Sequence, residues 1–182
     1  LVYTVNERNN EGNPFNTAVI TGSDGAKHGV YRKVHLFDTD FTKESDRMAA
    51  GSALFEPIDT PFGRIGLSIC YDLRFPEVAR FAATHGCQLL INPAAWVDGR
   101  LKAEQWRTLL SARAIENEIF VAGLSRVDKG YIGQSAVFGP DGVMLASGSV
   151  REELVAARIE LSAIDGVRAA MPVLEHRRPE LY

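Results

Sequence analysis

Residues 64–70 constrain this chain more than any other stretch: Ile65, Leu67 and Ile69 alternate with Gly66 and Ser68, and the run ends at Cys70. Apolar residues at period two describe a strand with one face in a core, and a second face of Gly and Ser lets a neighbour approach closely, so the segment reads as a buried strand. The polar group Tyr71-Asp72-Leu73-Arg74 follows, and then Pro76, which suits a first helical turn because an N–H there would have no partner. Helix formers fill residues 77–84 and stop at Gly86. Cys70 thus sits where a buried strand turns toward a helix.

The remaining segments mix the same two patterns. Residues 1–5 are apolar-rich and strand-like, and residues 16–21 and 30–34 read as extended arms joined through Gly22-Ser23-Asp24-Gly25, which suits a tight reversal. The second arm leads into a polar loop at residues 38–50, a length of loop that often serves a site. Residues 88–92 read as the next buried strand, stopped by Pro93. Residues 101–118 are the longest helical stretch, with Trp106, Leu109, Leu110, Ala114 and Ile115 near a 3–4 spacing, and residues 119–124 are again extended. Gly139-Pro140-Asp141-Gly142 signals a second hairpin between residues 135–138 and 143–146. Residues 154–159 supply a further strand, and Ser162 with Asp165 caps a short helix that ends before Pro172. With no repeat and no linker, the expectation is one layered α/β or α+β domain over residues 1–182.

Charge and composition exclude several functions. A chain of 182 residues with 46% apolar and 24% charged residues can bury an ordinary core. A formal net charge of −3 without a dense Lys/Arg run argues against nucleic acid as a partner. No apolar run approaches the roughly 20 residues that cross a bilayer, and the start lacks a basic-then-apolar signal, so a soluble, cytoplasmic protein without a membrane partner is expected. Because the chain opens at Leu1, already inside a strand-like run, it is expected to be N-terminally incomplete. Cys70 and Cys87 are too few for a disulfide scaffold and lack the close spacing of a zinc or redox pair, so no metal is expected.

Residue types alone leave the chemistry open. A cysteine at a strand-to-helix turn has backbone N–H groups and a helix dipole beside it, which stabilise a thiolate and any oxyanion formed there. Free cysteine is also among the most buried residue types, and Cys87, which follows Gly86 and opens an apolar strand, fits packing better than chemistry. Arg32-Lys33 could be a surface pair on an edge strand, and Glu44 an ordinary solvated loop acid.

Three segments narrow the choice: residues 31–38 (Tyr31-Arg32-Lys33-Val34-His35-Leu36-Phe37-Asp38), residues 66–77 (Gly66-Leu67-Ser68-Ile69-Cys70-Tyr71-Asp72-Leu73-Arg74-Phe75-Pro76-Glu77) and residues 112–117 (Ala112-Arg113-Ala114-Ile115-Glu116-Asn117). In this order they resemble the nitrilase superfamily of carbon-nitrogen hydrolases, and residues 92–96 and 133–142 are similar to further family segments. The branch it most resembles holds the ω-amidases and related small-amide hydrolases.

The resemblance implies a four-layer α-β-β-α sandwich, dimerised with a second copy, and a Glu-Lys-Cys triad that needs no cofactor. Cys70 matches the nucleophile and Lys33 the triad lysine, whose ammonium would contact the oxyanion together with the Tyr71 N–H. Glu44 matches a supporting glutamate that orients the lysine. Arg74 matches a position that can hold a substrate carboxylate, and Trp96, in a further family-like segment, is assigned to substrate binding. The family's general-base glutamate is expected upstream of Leu1, together with a strand-helix unit, so no residue here is assigned to it. Gln105-Trp106 departs from the His-Trp of relatives, and the loop between Lys33 and Glu44 is short. The implied reaction converts a small amide to carboxylic acid and ammonia through a cysteine thioester. Two rivals stand beside it: a Cys-His hydrolase pairing Cys70 with His35, His85 or His176, and a non-catalytic homologue acting in assembly or binding.

Overall fold

A computed structural model describes residues 1–181 of the chain. Two sheets form its centre. Strands β1 (Val2–Glu7), β2 (Phe15–Thr21) and β3 (Lys27–Arg32) make an antiparallel three-stranded sheet. Strands β4 (Ile58–Thr60), β5 (Gly63–Leu67), β6 (Leu89–Ala94), β7 (Phe120–Ser125), β8 (Ala136–Phe138) and β9 (Met144–Ser147) lie side by side in chain order in a second sheet. Its central strands β5, β6 and β7 run parallel, which requires long crossovers, and helices α1 (Pro76–Thr84) and α2 (Lys102–Ile115) supply them. A third helix, α3 (Ser162–Ala170), follows the sheet.

Each face of the six-stranded sheet buries a separate apolar cluster. Leu67 and Ile69 meet Ala18, Ile20, Tyr31 and Phe55 from the three-stranded sheet and its neighbouring loop. On the opposite face Cys87, Leu90, Val121 and Phe138 meet Ala79, Ala82 and Ala83 of α1 and Trp106, Leu110 and Ala114 of α2. The described residues therefore stack as a helix layer, then two facing sheets, which is the mixed α/β layering that the sequence predicts. Gly66 explains the small residues of β5: a Cβ there would stand 2.8 Å from the Cys87 Sγ. Cys87 is fully buried, and burial pushes its thiol up to about 12, in keeping with a packing role.

Trp106 anchors this layer. It is fully buried and donates its Nε1–H to the Gln134 carbonyl at 2.9 Å. Trp106→Ala is expected to cost about 3–5 kcal/mol, read as a shift in the urea unfolding midpoint, because the cavity cannot close against two rigid layers.

Several elements differ from expectation. β6 continues through Pro93 rather than stopping there. Ile91 accepts from Ser68 N–H on the β5 side at 3.1 Å, and Pro93, two residues on, turns its missing N–H to the same side, beyond the end of β5 at Leu67. Residues 154–159 form no strand, since no neighbouring backbone pairs with them among the described residues. Ser162 makes no side-chain cap; it is already the first residue of α3, with Leu161 in the cap position. The helix expected over residues 101–118 is shorter, because Leu101 and Glu118 take left-handed φ values of 60° and 53° on either side of it. Both glycine-rich reversals form hairpins as expected. No helix among the described residues is long and apolar enough to cross a membrane.

Candidate active site

β5 ends at Leu67, Ile69 is still extended, and Cys70 then takes φ 48°, a left-handed conformation unusual for a residue with a side chain. It opens a short 3-10 turn, Cys70–Arg74. Such conformations cost on the order of 1–3 kcal/mol and persist only where surrounding contacts hold them. Asp72 provides those contacts. Its fully buried carboxylate accepts the Ile69 N–H at 2.9 Å and the Tyr31 hydroxyl at 2.7 Å through Oδ2. Its Oδ1 accepts the His35 N–H at 3.1 Å and lies 2.9 Å from the His35 Nδ1. Burial first, and then the Asp72 charge, push the Tyr31 hydroxyl far above the usual tyrosine range, so it stays a donor. From behind, the buried Arg113 donates to the Leu73 carbonyl at 3.0 Å and pairs with Glu116 at 2.9 Å.

Asp72→Ala strands at least two buried donors, each worth roughly 1–3 kcal/mol when left unpaired. The expected result is a loss of about 2–6 kcal/mol of stability, measured by chemical denaturation, with Cys70 no longer fixed at the turn.

Lys33 emerges just past β3 with its backbone clamped on both sides: its N–H donates to the Asn16 carbonyl at 2.9 Å, and its carbonyl accepts from Gly51 at 2.8 Å. The side chain is 2% exposed and its Nζ pairs with the Glu44 carboxylate. Glu44 opens a 3-10 turn, Glu44–Asp46, and is itself held by the Phe37 N–H at 2.7 Å and by the Asn16 amide at 3.4 Å. Burying a lysine ammonium is costly unless a carboxylate partner offsets it, and Glu44 is placed to do so. Lys33, Glu44 and Cys70 line one cleft of about 850 Å³, together with Asn16, Phe37 and Ser125.

Opposing influences act on the Cys70 thiol, which donates toward the Ala95 carbonyl at 3.9 Å. Burial pushes its pKa up, the Lys33 charge pulls it down, and the Glu44 and Asp72 charges push it up; the net shift is upward. At neutral pH the sulfur is accordingly a protonated thiol. Alkylation of Cys70 by iodoacetamide is expected to keep accelerating as pH rises past 9, the ordinary thiol value, and Lys33→Met should move that midpoint higher still.

A smaller pocket adjoins the sulfur, lined by Phe37, Tyr71, Arg74, Trp96 and Lys102 as well as Cys70. The Tyr71 ring meets Phe37 edge-on at 5.1 Å and Phe75 at 5.3 Å. Arg74 lies over the Trp96 ring at 4.9 Å and donates to the Gln105 amide oxygen at 2.8 Å, so the residue that departs from the His-Trp pattern fixes the guanidinium. Trp96 is 3% exposed, packs on Trp106 at 5.0 Å and donates to the Lys102 carbonyl at 3.1 Å.

All six residues singled out in the sequence, Cys70, Lys33, Glu44, Tyr71, Arg74 and Trp96, therefore border two adjoining cavities. None of the histidines of the Cys-His rival, His35, His85 or His176, is hydrogen-bonded to Cys70 among the described residues. His35 is engaged by Asp72 and stacks on Phe75 at 3.7 Å, and His85 bonds the Phe81 carbonyl at 2.7 Å. Sequence reasoning did not single out Asp72, Tyr31, Phe37 or Lys102. Asp72 alone carried a signal, as an acid two residues past the cysteine. Among the described residues no group of three or more His, Cys, Asp or Glu side chains could hold a metal.

The family model of carbon-nitrogen hydrolases matches residues 1–169. The chain belongs to the carbon-nitrogen hydrolase family. Among its relatives, the nitrilase and fragile histidine triad fusion protein NitFhit of Caenorhabditis elegans is 41% identical over 93% of this chain and 40% of its own length. Omega-amidase NIT2 of Homo sapiens is 38% identical over 94% of this chain and 65% of its own length. The chain thus spans 40 to 65% of these two relatives. A crystal structure of the carbon-nitrogen hydrolase from Helicobacter pylori G27 superimposes with a TM-score of 0.91 at 32% identity, covering 100% of this chain and 69% of that one. An amidase mutant from Nesterenkonia sp. AN1, with the acetamide moiety of fluoroacetamide covalently added at its active-site cysteine, superimposes with a TM-score of 0.85 at 26% identity over 99% of this chain and 65% of that one. These neighbours share the layered α/β fold of this carbon-nitrogen hydrolase chain.

Proposed function

We propose that the protein hydrolyses a small amide to a carboxylic acid and ammonia through a thioester on Cys70. The observation that carries this reading is the meeting of three groups in one cleft: a cysteine held at φ 48°, a buried lysine, and the carboxylate paired with it.

The Cys70 sulfur attacks the amide carbon as its thiol proton passes to a base, and the carbonyl oxygen becomes an oxyanion. The Lys33 ammonium and the Tyr71 N–H stabilise it. An N–H in the first turn of a helix has no partner inside the helix, and it is therefore available to a ligand. The C–N bond then breaks, the base returns its proton to the nitrogen, and ammonia departs from the thioester. Water, deprotonated by the same base, adds to the thioester; the C–S bond breaks and the thiol is restored. Glu44 aims Lys33 throughout. The raised Cys70 pKa makes the base necessary, and the family resemblance gives that role to a glutamate.

Two relatives support the choice of an amide: one is named an omega-amidase, and the other carries an acetamide group on its active-site cysteine. The test is ammonia release from a panel of short aliphatic amides, with intact-mass detection of an acyl group on the protein. Ammonia and an acyl adduct together support the reading. Neither product from any amide would leave the non-catalytic alternative in its place.

A further inference from the structure

We propose that Asn16 is a positioning residue for the Cys70 reaction: it sets the plane of the Glu44 carboxylate and thereby aims the Lys33 amine at the carbonyl oxygen. This rests on the amidase reading and adds to it a residue beyond the cysteine, lysine and glutamate already named.

The argument starts from strand alternation. Asn16 lies in the first half of β2, on the same face as Ala18 and Ile20, which meet the six-stranded sheet. Register then places its neighbours. Asn16 stands across from Asn6 of β1, and on its other side its carbonyl accepts the Lys33 N–H at 2.9 Å. Asn6, Asn16 and Lys33 therefore form one polar row across the three-stranded sheet, and all three line the cleft that holds Cys70.

The loop that carries Glu44 is laid along the same end of β2. Asn13 Nδ2 donates to the Asp46 carbonyl at 3.2 Å, the Ala49 N–H donates to the Pro14 carbonyl at 2.9 Å, and Phe15 bridges to Ala49. Gly51 then reaches the Lys33 carbonyl in a space so close that a Cβ there would stand 2.2 Å from the Arg32 carbonyl oxygen. Asn16 bonds both members of the ion pair: its backbone holds Lys33, and its Nδ2 donates to Glu44 Oε1 at 3.4 Å.

The two oxygens of Glu44 have different partners. Oε2 takes the Lys33 Nζ and the Phe37 N–H, whereas Oε1 faces the Asn16 amide. Donors on one oxygen leave a carboxylate free to swing about it, and a donor on the second oxygen fixes its plane. A lysine amine rides on a flexible four-carbon stem, so the direction of the carboxylate decides where that amine stands. An oxyanion donor works only from the right place, and a side chain at position 16 that could only accept would oppose Glu44 rather than hold it.

The test uses three single variants of the full chain. Asn16→Ala removes the donor, and Asn16→Asp keeps the shape but turns a carboxylate toward Glu44. Asn6→Asp puts the same charge in the same row, at a residue that makes no hydrogen bond to Glu44 among the described residues, and so controls for charge alone. In ammonia release, Asn16→Ala is expected to lower kcat on the order of tenfold with KM close to wild type, since the amide acts on the transition state through Lys33. A second readout needs no turnover: the rate of Cys70 alkylation by iodoacetamide, relative to wild type at the same pH. At about pH 8 Asn16→Asp slows it several-fold, and more than Asn6→Asp does. Toward about pH 5.5 the deficit of Asn16→Asp closes, because the new carboxyl, with Glu44 beside it, takes up a proton above the ordinary aspartate value and donates as the amide did. Arg47 and Arg126 also line the cleft; both are exposed, so high salt screens them in these assays.

Equal slowing by the two Asp variants, or a deficit in Asn16→Asp that stays constant with pH, would overturn the proposal. Amide hydrolysis with an unchanged kcat in Asn16→Ala would overturn it while leaving the amidase reading intact. The expected alkylation pattern without hydrolysis of any amide would keep Asn16 as the residue that sets Lys33 beside Cys70 and reject the amidase. If Asn16→Ala fails to fold, the comparison of the two Asp variants decides.

Discussion

Cys70→Ala abolishes ammonia release, by about 10,000-fold or more, because every step of the proposed cycle passes through a bond to that sulfur. The fold should survive the change. Cys70 is only partly buried and the turn around it is held by Asp72 and Arg113, so removing the sulfur leaves the unfolding midpoint close to wild type. Activity and stability therefore separate in this variant. Ammonia release at the wild-type rate would show that the nucleophile is another group.

Lys33→Met produces a different pattern, losing activity and stability together. Removing one oxyanion donor costs roughly 100- to 1,000-fold in kcat, or about 2.7–4 kcal/mol of barrier. The same change leaves Glu44 in a largely enclosed site without its counter-charge, and breaking a buried pair from one side costs about 3–5 kcal/mol. Glu44 is 17% exposed, which lets it relax toward water and places the stability loss at the lower end of that range. Thermal unfolding and steady-state kinetics on the same preparation read both effects. A variant with normal kcat and a lowered melting temperature would make Lys33 purely structural.

How far the fold could be read from the sequence follows from which interactions are local. The period-two pattern of Ile65, Leu67 and Ile69 suffices for β5, and Pro76 with Gly86 bounds α1, because strand alternation and helix termini are written in neighbouring residues. The Gly-rich reversals gave the two hairpins for the same reason. Pro93 misled, since whether a proline ends a strand depends on which neighbour its nitrogen faces, and β5 stops before it would be needed. Residues 154–159 have strand-forming composition but no partner strand beside them among the described residues.

The site divides in the same way. Cys70 announced itself through its strand-to-helix position, whereas Lys33 and Glu44 gained meaning only through the family resemblance, since lysines and loop acids are ordinarily solvated. Nothing in the spacing revealed Asp72 as the residue that fixes the turn. Its partners come from Tyr31, His35 and Ile69, which only the facing of the two sheets brings together. Lys102 was hidden for a related reason: its place in the pocket depends on the left-handed backbone at Leu101, which composition does not foretell.

Mixing the protein with a short amide, quenching in acid after a brief interval and mapping the acylated peptide tests the central claim most directly. The account predicts an acyl mass on the peptide containing Cys70, removed by hydroxylamine as a thioester would be, and absent from Cys70→Ala. Ammonia release with the acyl group on another residue, or with no covalent intermediate at all, would contradict it.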